Sequence, residues 1–359
     1  MDIADPDLGA VGRAVDADFD RVLNLRRARW LADIGFAEGG PLEDVKIRAQ
    51  VDFASSVIDW KDLYVRRNGA GAFGPFDKAY IKGGHFREPM GLEAMTSVSH
   101  LPFIERSAAT NAFTPGRSRG VQWSGRSDQW LVQAGAFRAA DGIPFPDELG
   151  SERSLTLRAV RQDPDGALAQ VGGGISLRDP GDDGIRFRSR PGTRLLAPTT
   201  DTKSIDASRF LIGSAEALWL DEGHTASVEW FVGHGIDAGP NREAVTLAGA
   251  HASFAALLTG GHHSWNRGRG GYRAPGVADA WISRSPGSGS VEFAARLGWV
   301  DLNDGAVQGG RTWDLECGLN WYLQPATRFM IHGLLLSVDS PGRGHEYGSA
   351  VLARIQLQL

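Results

Sequence analysis

The chain has 359 residues, 42% of them hydrophobic and 23% charged, with a formal net charge of −5. That composition excludes a disordered chain, and the lack of a global basic excess excludes a nucleic-acid-binding signature. No run of about eighteen apolar residues occurs, which excludes a spanning helix but not a barrel, whose strands need only about ten alternating residues.

The 47 glycines and 11 tryptophans suit tight turns and an interfacial aromatic girdle, and they suit a Gly-rich soluble all-β enzyme equally well. The single cysteine, Cys317, cannot form an internal disulfide. The N-terminal residues MDIADPDLGAV have neither the basic nor the apolar region of a signal peptide. For an exported protein the expectation is then a processed form or a chain that starts late.

Residues 1–22 are acidic and rich in Gly and Ala, and read as a flexible lead-in. From Leu25 to Phe36 the pattern alternates, with Ala28, Trp30, Ala32, Ile34 and Phe36 on one face and Arg27, Arg29 and Asp33 on the other. Val45 to Phe53 alternates likewise, its polar face carrying Lys46, Arg48, Gln50 and Asp52. Period two marks a strand with one apolar and one polar face. Further strands are expected at 57–67 and 76–87.

Residues 88–117 then show neither helical nor alternating periodicity. A connection that long in a compact domain is usually functional or disordered. This one holds Met90, Leu92, Met95, Leu101, Phe103, Ile104 and Phe113, which need packing, beside Arg87, Glu88, Glu93, Glu105, Arg106 and Arg117. It reads as an ordered loop folded back onto a scaffold, with Lys82 and Arg119 near its root as polar partners. The loop arginines could set a field in a passage, or they could pair with Glu88, Glu93 and Glu105 to hold the loop.

Paired strands follow at 119–127 and 129–138, at 151–161 and 167–178 across the turn Asp163-Pro164-Asp165-Gly166, and at 208–220 and 223–234. The connection 179–207 contains Arg186, Arg188, Arg190 and Arg194. On an extended segment, alternate arginines stand about 7 Å apart and offer permanently charged, bidentate donors to anions. A solvated loop with counter-ions is the plainer alternative. A strand at 243–258 and a Gly/Pro-rich connection lead to the last four strands, at 289–301, 310–323, 326–338 and 346–359.

About fifteen strands near ten residues long, short turns alternating with long loops, and no interdomain linker predict an all-β fold: one transmembrane antiparallel β-barrel over residues 23–359. The rival is a soluble all-β carbohydrate-active or carbohydrate-binding protein using Trp265, Trp281, Glu229 and Asp279 in a groove. His262-His263 lack the cysteines or spaced carboxylates of a metal site. Asp301, Asn303 and Asp304 lack the closing Glu of a calcium loop and read as a turn. No catalytic motif is present, so neither an enzyme nor a cofactor is expected.

Four submotifs occur in order: Gly84-His85-Phe86-Arg87-Glu88-Pro89, Leu92-Glu93-Ala94-Met95-Thr96-Ser97, Phe103-Ile104-Glu105-Arg106 and Ala112-Phe113-Thr114-Pro115-Gly116-Arg117. A second set lies at Ala295-Arg296, Asp301-Leu302-Asn303-Asp304-Gly305, Gly309-Gly310 and Gly318-Leu319-Asn320-Trp321-Tyr322. From about Leu25 to Leu359 the chain resembles the phosphate-selective porins (porin O and P type) of Gram-negative outer membranes. The resemblance implies a closed barrel of about 16 strands, an inward-folded constriction loop at 88–117, and homotrimers in outer-membrane lipid. It also implies passage of small anions such as phosphate or polyphosphate along an arginine ladder. Arg26, Arg27, Arg186, Arg188, Arg190 and Arg194 match the ladder, and Arg87, Glu88, Glu93, Glu105, Arg106 and Arg117 lie in the constriction loop.

Four departures stand out. A first strand upstream of Leu25 is not visible, the expectation being either that residues 8–20 supply it poorly or that the start of the chain is missing, and the chain ends in Leu359 where such strands usually end in Phe. The family's loop lysine is missing from Thr96-Ser97-Val98-Ser99-His100. Late-strand lysines are replaced near Asp301 and Trp313, with Arg311 a candidate substitute. General anion passage, rather than high phosphate specificity, is the expectation.

Overall fold

The computed structural model describes residues 2–5, 22–55, 57–139, 151–163, 165–278, 289–342 and 344–358. The expected strand segment at 8–20, Trp281, Asp279, Pro164 and Leu359 lie outside them.

The chain is all-β. In order the strands are β1 (Asp2–Asp5), β2 (Val22–Asn24), β3 (Arg29–Gly35), β4 (Val45–Asp52), β5 (Asp59–Asn68), β6 (Lys78–Arg87), β7 (Arg117–Arg126), β8 (Trp130–Ala139), β9 (Arg153–Gln162) and β10 (Gln170–Asp179). Then come β11 (Arg188–Ser189), β12 (Thr200–Asp201), β13 (Arg209–Leu220), β14 (His224–Ala238), β15 (Glu243–Leu257), β16 (Trp265–Asn266) and β17 (Gly271–Tyr272). The last four are β18 (Ser290–Asp304), β19 (Val307–Gln324), β20 (Thr327–Ser340) and β21 (Gly344–Leu357). Each of the fifteen strands expected from periodicity is present, with ends moved by a few residues.

Seventeen of these strands form one antiparallel sheet, while β11–β12 and β16–β17 make two small separate pairs inside loops. Apart from β2 and β3, which do not pair with each other, strands consecutive in this sheet pair antiparallel. The described part of the lead-in contributes the strand that periodicity does not reveal: β1 pairs with the last strand, Ile3 opposite Ala353, and with β2, Ile3 opposite Leu23.

The sheet is inverted relative to a water-soluble protein. Leu155, Ile175, Val228, Trp230, Phe293, Leu297, Trp313, Leu315, Leu319, Trp321, Ile331 and Val351 are exposed on one face. The other face buries Arg158, Glu216, Glu229, Arg296, Asp314, Glu316, Asn320, Arg328, His332 and Arg354. In water this arrangement would expose apolar area and bury charge, both unfavourable. Against lipid it is the stable one, because alternation puts apolar side chains out and polar ones in.

The long connections pack on the polar face. Residues 88–116 contain the short helices α1 (Leu92–Met95) and α2 (Ala108–Phe113), with one 3-10 turn, Val98–His100, between them. Ser107 caps α2 by accepting the Thr110 amide at 3.0 Å. The loop's apolar residues find the packing they require. Met90 and Phe113 join Phe187, Phe210 and Phe231; Ile104 meets Leu196 and Leu334; Leu92, Val98 and Leu101 meet Leu218 and Tyr272. Each such burial stabilises the folded loop by roughly 1.5–3 kcal/mol.

Candidate functional site

The loop 88–116 has a back and a front, and its charged residues divide between them. All three carboxylates pair with the wall, Glu88 and Glu93 at the back and Glu105 at the margin of the front cavity. Glu88 accepts Ser118 Oγ at 2.7 Å, Ser154 Oγ at 3.0 Å, Thr156 Oγ1 at 2.9 Å and Arg178 Nη1 at 3.1 Å. Glu93 accepts Arg296 Nη1 at 2.8 Å and the Ser107 amide at 2.9 Å. Glu105 accepts Arg26 Nε at 2.6 Å, Arg27 Nη2 at 2.8 Å and Arg354 Nη2 at 3.0 Å. Burial drives the Glu105 carboxyl upward, but Arg27, Arg26 and Arg354 outweigh it and hold the group well below the usual carboxylate range.

The wall also grips the loop backbone. Arg328 Nη1 donates to the Leu101 carbonyl at 2.7 Å, Asn320 Nδ2 to Pro102 at 2.7 Å, and Arg354 Nη1 to Ile104. Glu229 accepts the Leu92 and Glu93 amides at 2.7 and 2.8 Å. This approach requires Gly91: its φ is +76°, and a Cβ there would sit 2.8 Å from Glu229 Oε1. Glu229 is therefore a buried clamp and not the groove acid of a carbohydrate site, and Trp265 packs partly buried beside Leu218 and Tyr272. Glu93, Glu229 and His251 bring their donor atoms within 4.8 Å of one another. Loop amides and Arg296 already occupy those carboxylates, so the cluster serves as a latch. His262 and His263 join no ligand cluster among the described residues.

The front of the loop faces a cavity of about 390 Å³. Twelve basic side chains line it against two acidic ones, Asp62 and Glu105. Of the residues singled out from sequence, Arg26, Arg27, Arg87, Arg106, Arg117, Arg194 and Glu105 lie here. The loop arginines do not pair with the loop carboxylates. Arg106 donates to the carbonyls of Glu93 and Thr96 at 3.0 and 2.6 Å, Arg87 to that of Pro115 at 3.2 Å, and Arg117 pairs with Asp62 at 2.7 Å. Arg66, Lys82, Arg87, Arg106, Arg194 and Arg269 form no ion pair among the described residues. Lys82, expected as a partner for the loop, instead rests its Nζ 3.9 Å from the Phe86 ring centre.

Arg186 and Arg188 line a second cavity of about 820 Å³, which shares Asn111 with the first. Arg186 is engaged by Asp201, with Nε 2.7 Å from Oδ1. Only Arg188 and Ser189 of that segment are in strand, so the three arginines do not form one regular row. The Arg190 carbonyl accepts Asn111 Nδ2 at 3.4 Å, tying this segment to the constriction loop. Arg311 lines neither cavity; it pairs with Asp301 at 2.6 Å.

Sequence reading missed Arg48, Lys61, Arg66 and Lys82 as cavity residues. The signal was present in part, since Arg48 and Gln50 stand on the polar face of a clearly alternating strand. It missed Arg269 altogether, because the Gly/Pro-rich stretch around it has no periodicity. The described part of that stretch, residues 258–278, folds onto the polar face as well. Arg158 donates to the Arg269 and Gly270 carbonyls at 2.9 and 2.7 Å, and Gln162 to that of Arg267 at 2.9 Å.

Comparison with known proteins places this architecture. An outer membrane protein, OmpT of Vibrio cholerae in its trimer form, superposes with a TM-score of 0.58 at 9% identity, covering 99% of this chain and 96% of that one. An anion-selective porin from Comamonas acidovorans gives 0.55 at 10% identity, with 99% and 96% covered. An uncharacterized protein of Caulobacter vibrioides is 25% identical over 336 residues, 86% of this chain; the chain spans 65% of that relative's length. The family description "phosphate-selective porin O and P" matches residues 7–358. With nearly the whole chain matched, this protein belongs to the phosphate-selective porin O and P family.

Proposed function

We propose that the chain is an outer-membrane porin of Gram-negative type, a single barrel domain over residues 23–359 that β1 closes from the lead-in, and that it lets small anions diffuse passively through the cavity in front of the constriction loop. Sixteen strands follow if β2 and β3 are one strand interrupted at 25–28, flanked by β1 and β4; the β1–β21 ladder then completes the ring. The even count is what a bacterial barrel requires. Homotrimers are the expected assembly, as in the trimeric form of the Vibrio neighbour.

The observation that carries the reading is the cavity lining of twelve bases and two acids in a chain whose net charge is −5. A narrow, low-dielectric passage takes its field from the charges that line it. Arg26, Arg27 and Arg194 contribute to the narrow part, and Arg186 and Arg188 to the wider approach. The narrow part also holds Arg66, Lys82, Arg87 and Arg106, which suits general anion passage in the absence of a loop lysine after Ser97. Phosphate and polyphosphate are candidate permeants, bound moderately rather than tightly, as conduction requires.

The test is a planar-bilayer recording in a potassium chloride gradient, repeated with phosphate. Anion-side reversal potentials support the reading. A chain that stays soluble and monomeric without detergent, or a cation-selective channel, overturns it.

A further inference from the structure

The cavity is bounded by a second segment besides the constriction loop. Asn266, Gly268 and Arg269 line it, and they belong to the 265–272 turn, which lies in the connection between β15 and β18. Antiparallel pairing fixes where that connection starts. The constriction loop leaves β6 at one rim of the sheet, while β15 ends and β18 begins at the opposite rim. The two segments approach from opposite ends and meet: the Tyr272 amide donates to Thr96 Oγ1 at 3.0 Å.

The meeting is built closely. A Cβ on Gly271 would lie 2.7 Å from Thr96 Oγ1, and Gly270 has φ +59° with Arg158 Nη1 3.0 Å from where its Cβ would be. Arg158 is fully buried, is clamped by Glu216 at 2.5 and 3.0 Å, and directs its remaining donors to the carbonyls flanking the turn. The turn is thus held by one guanidinium while it presents another. The Arg269 side chain is exposed and makes no hydrogen bond or ion pair among the described residues, and it borders the same cavity as Lys82 and Arg106.

Resting on the anion-porin reading, we propose that Arg269 is a specificity-determining residue of the passage. In this arrangement the narrow region is composite, closed by the constriction loop from one end and by the 265–272 turn from the other, with the Thr96–Tyr272 contact setting their separation. Such an arginine acts on permeating anions by charge and not by stability: it is an exposed cation, without an ion pair among the described residues, on the cavity through which the anions would pass.

The experiment measures reversal potentials in bilayers for the whole chain with Cys317→Ser as background. Arg269→Ser should lower the anion-to-cation permeability ratio about twofold, while Arg269→Lys should retain it. Arg269→Cys should gain anion preference on reaction with a cationic thiosulfonate and lose it further with an anionic one. Heat-modified gel migration should match the parent in every case. Gly271→Val should part the two segments and raise conductance. An anion-selective parent unmoved by Arg269→Ser, or by either thiol reagent, overturns the role of Arg269 alone; unchanged conductance in Gly271→Val overturns the composite constriction. A parent that forms no channel, or passes cations, overturns the porin reading and this inference together.

Discussion

The walls on the two sides of the constriction loop use the same side chain in opposite ways. On the C-terminal side Arg296, Arg328 and Arg354 are 1%, 2% and 4% exposed, and each is committed to a loop carboxylate or carbonyl. On the N-terminal side Arg66 and Lys82 line the cavity and form no ion pair among the described residues. A buried guanidinium must be matched group for group, or its desolvation goes uncompensated. A cation that lines a cavity without a counter-charge has field to offer an ion. One wall is a lock and the other a lining; Glu93 turns to the lock, while Glu105 bridges Arg354 on the lock and Arg26 and Arg27 in the lining.

The largest break in this contrast is removal of the loop between about residues 95 and 112. Single-channel conductance should rise several-fold, since both cavities share that wall; unchanged conductance would place the loop outside the passage. Next, Glu93→Ala leaves Arg296 with a buried charge partly uncompensated. Loss of one partner of such a pair costs about 3–5 kcal/mol, read as a lower midpoint in urea unfolding from detergent or liposomes. Lys82→Ser on the opposite wall should leave that midpoint within about 0.5 kcal/mol of the parent.

A smaller effect is expected from changing Arg186, Arg188 and Arg190 together to Ser. Reversal potential should move toward cations, and block of chloride current by phosphate should weaken. Because Arg186 is already neutralised by Asp201, the shift should be smaller than that from the cavity's unpaired bases. An unmoved potential would show that these arginines only decorate the approach.

The smallest effect is a dependence on acid. Burial raises the Glu93 carboxyl, but the His251 and Arg296 charges and its hydrogen bonds bring it down to about 2. A depressed carboxyl contributes stability that is fully present above its unfolded value of 4.5 and is lost as pH falls through the folded one. Unfolding midpoints should therefore drop between about pH 4.5 and 2, and Glu93→Gln should flatten that limb.

Much of the lining was legible from sequence, but not which bases are free. Val45 to Asp52 announces its two faces by alternation, so Arg48 was on view as a polar-face residue; that polar means inward follows only once the sheet curls around the loop. Asp2–Asp5 has no alternation to read, and becomes a strand through its ladder to β21. The fates of Glu88, Glu93 and Glu105 depend on Arg178, Arg296 and Arg354, which lie 90, 203 and 249 positions away. Spacing within the loop carries no trace of such partners. Arg269 was hidden for the same reason: its position is set by Arg158, 111 residues distant.

Strand length differs around the ring as well. From β5 to β10 each barrel strand has 10 residues, whereas β14, β15, β18 and β19 have 15, 15, 15 and 18. At about 3.3 Å per residue and a tilt near 45°, ten residues rise roughly 23 Å and eighteen roughly 42 Å, against an apolar band of about 25 Å. In an outer-membrane barrel the taller half would stand clear of the bilayer as hydrogen-bonded sheet, closed between β18 and β19 by the two-residue turn at 305–306. The ladder of strands is then lopsided: a stiff parapet of paired backbone on one side and, on the other, strands about as long as the apolar band is tall. The shorter strands include β5 and β6, which carry Arg66 and Lys82, so the uncommitted cations begin on the low side.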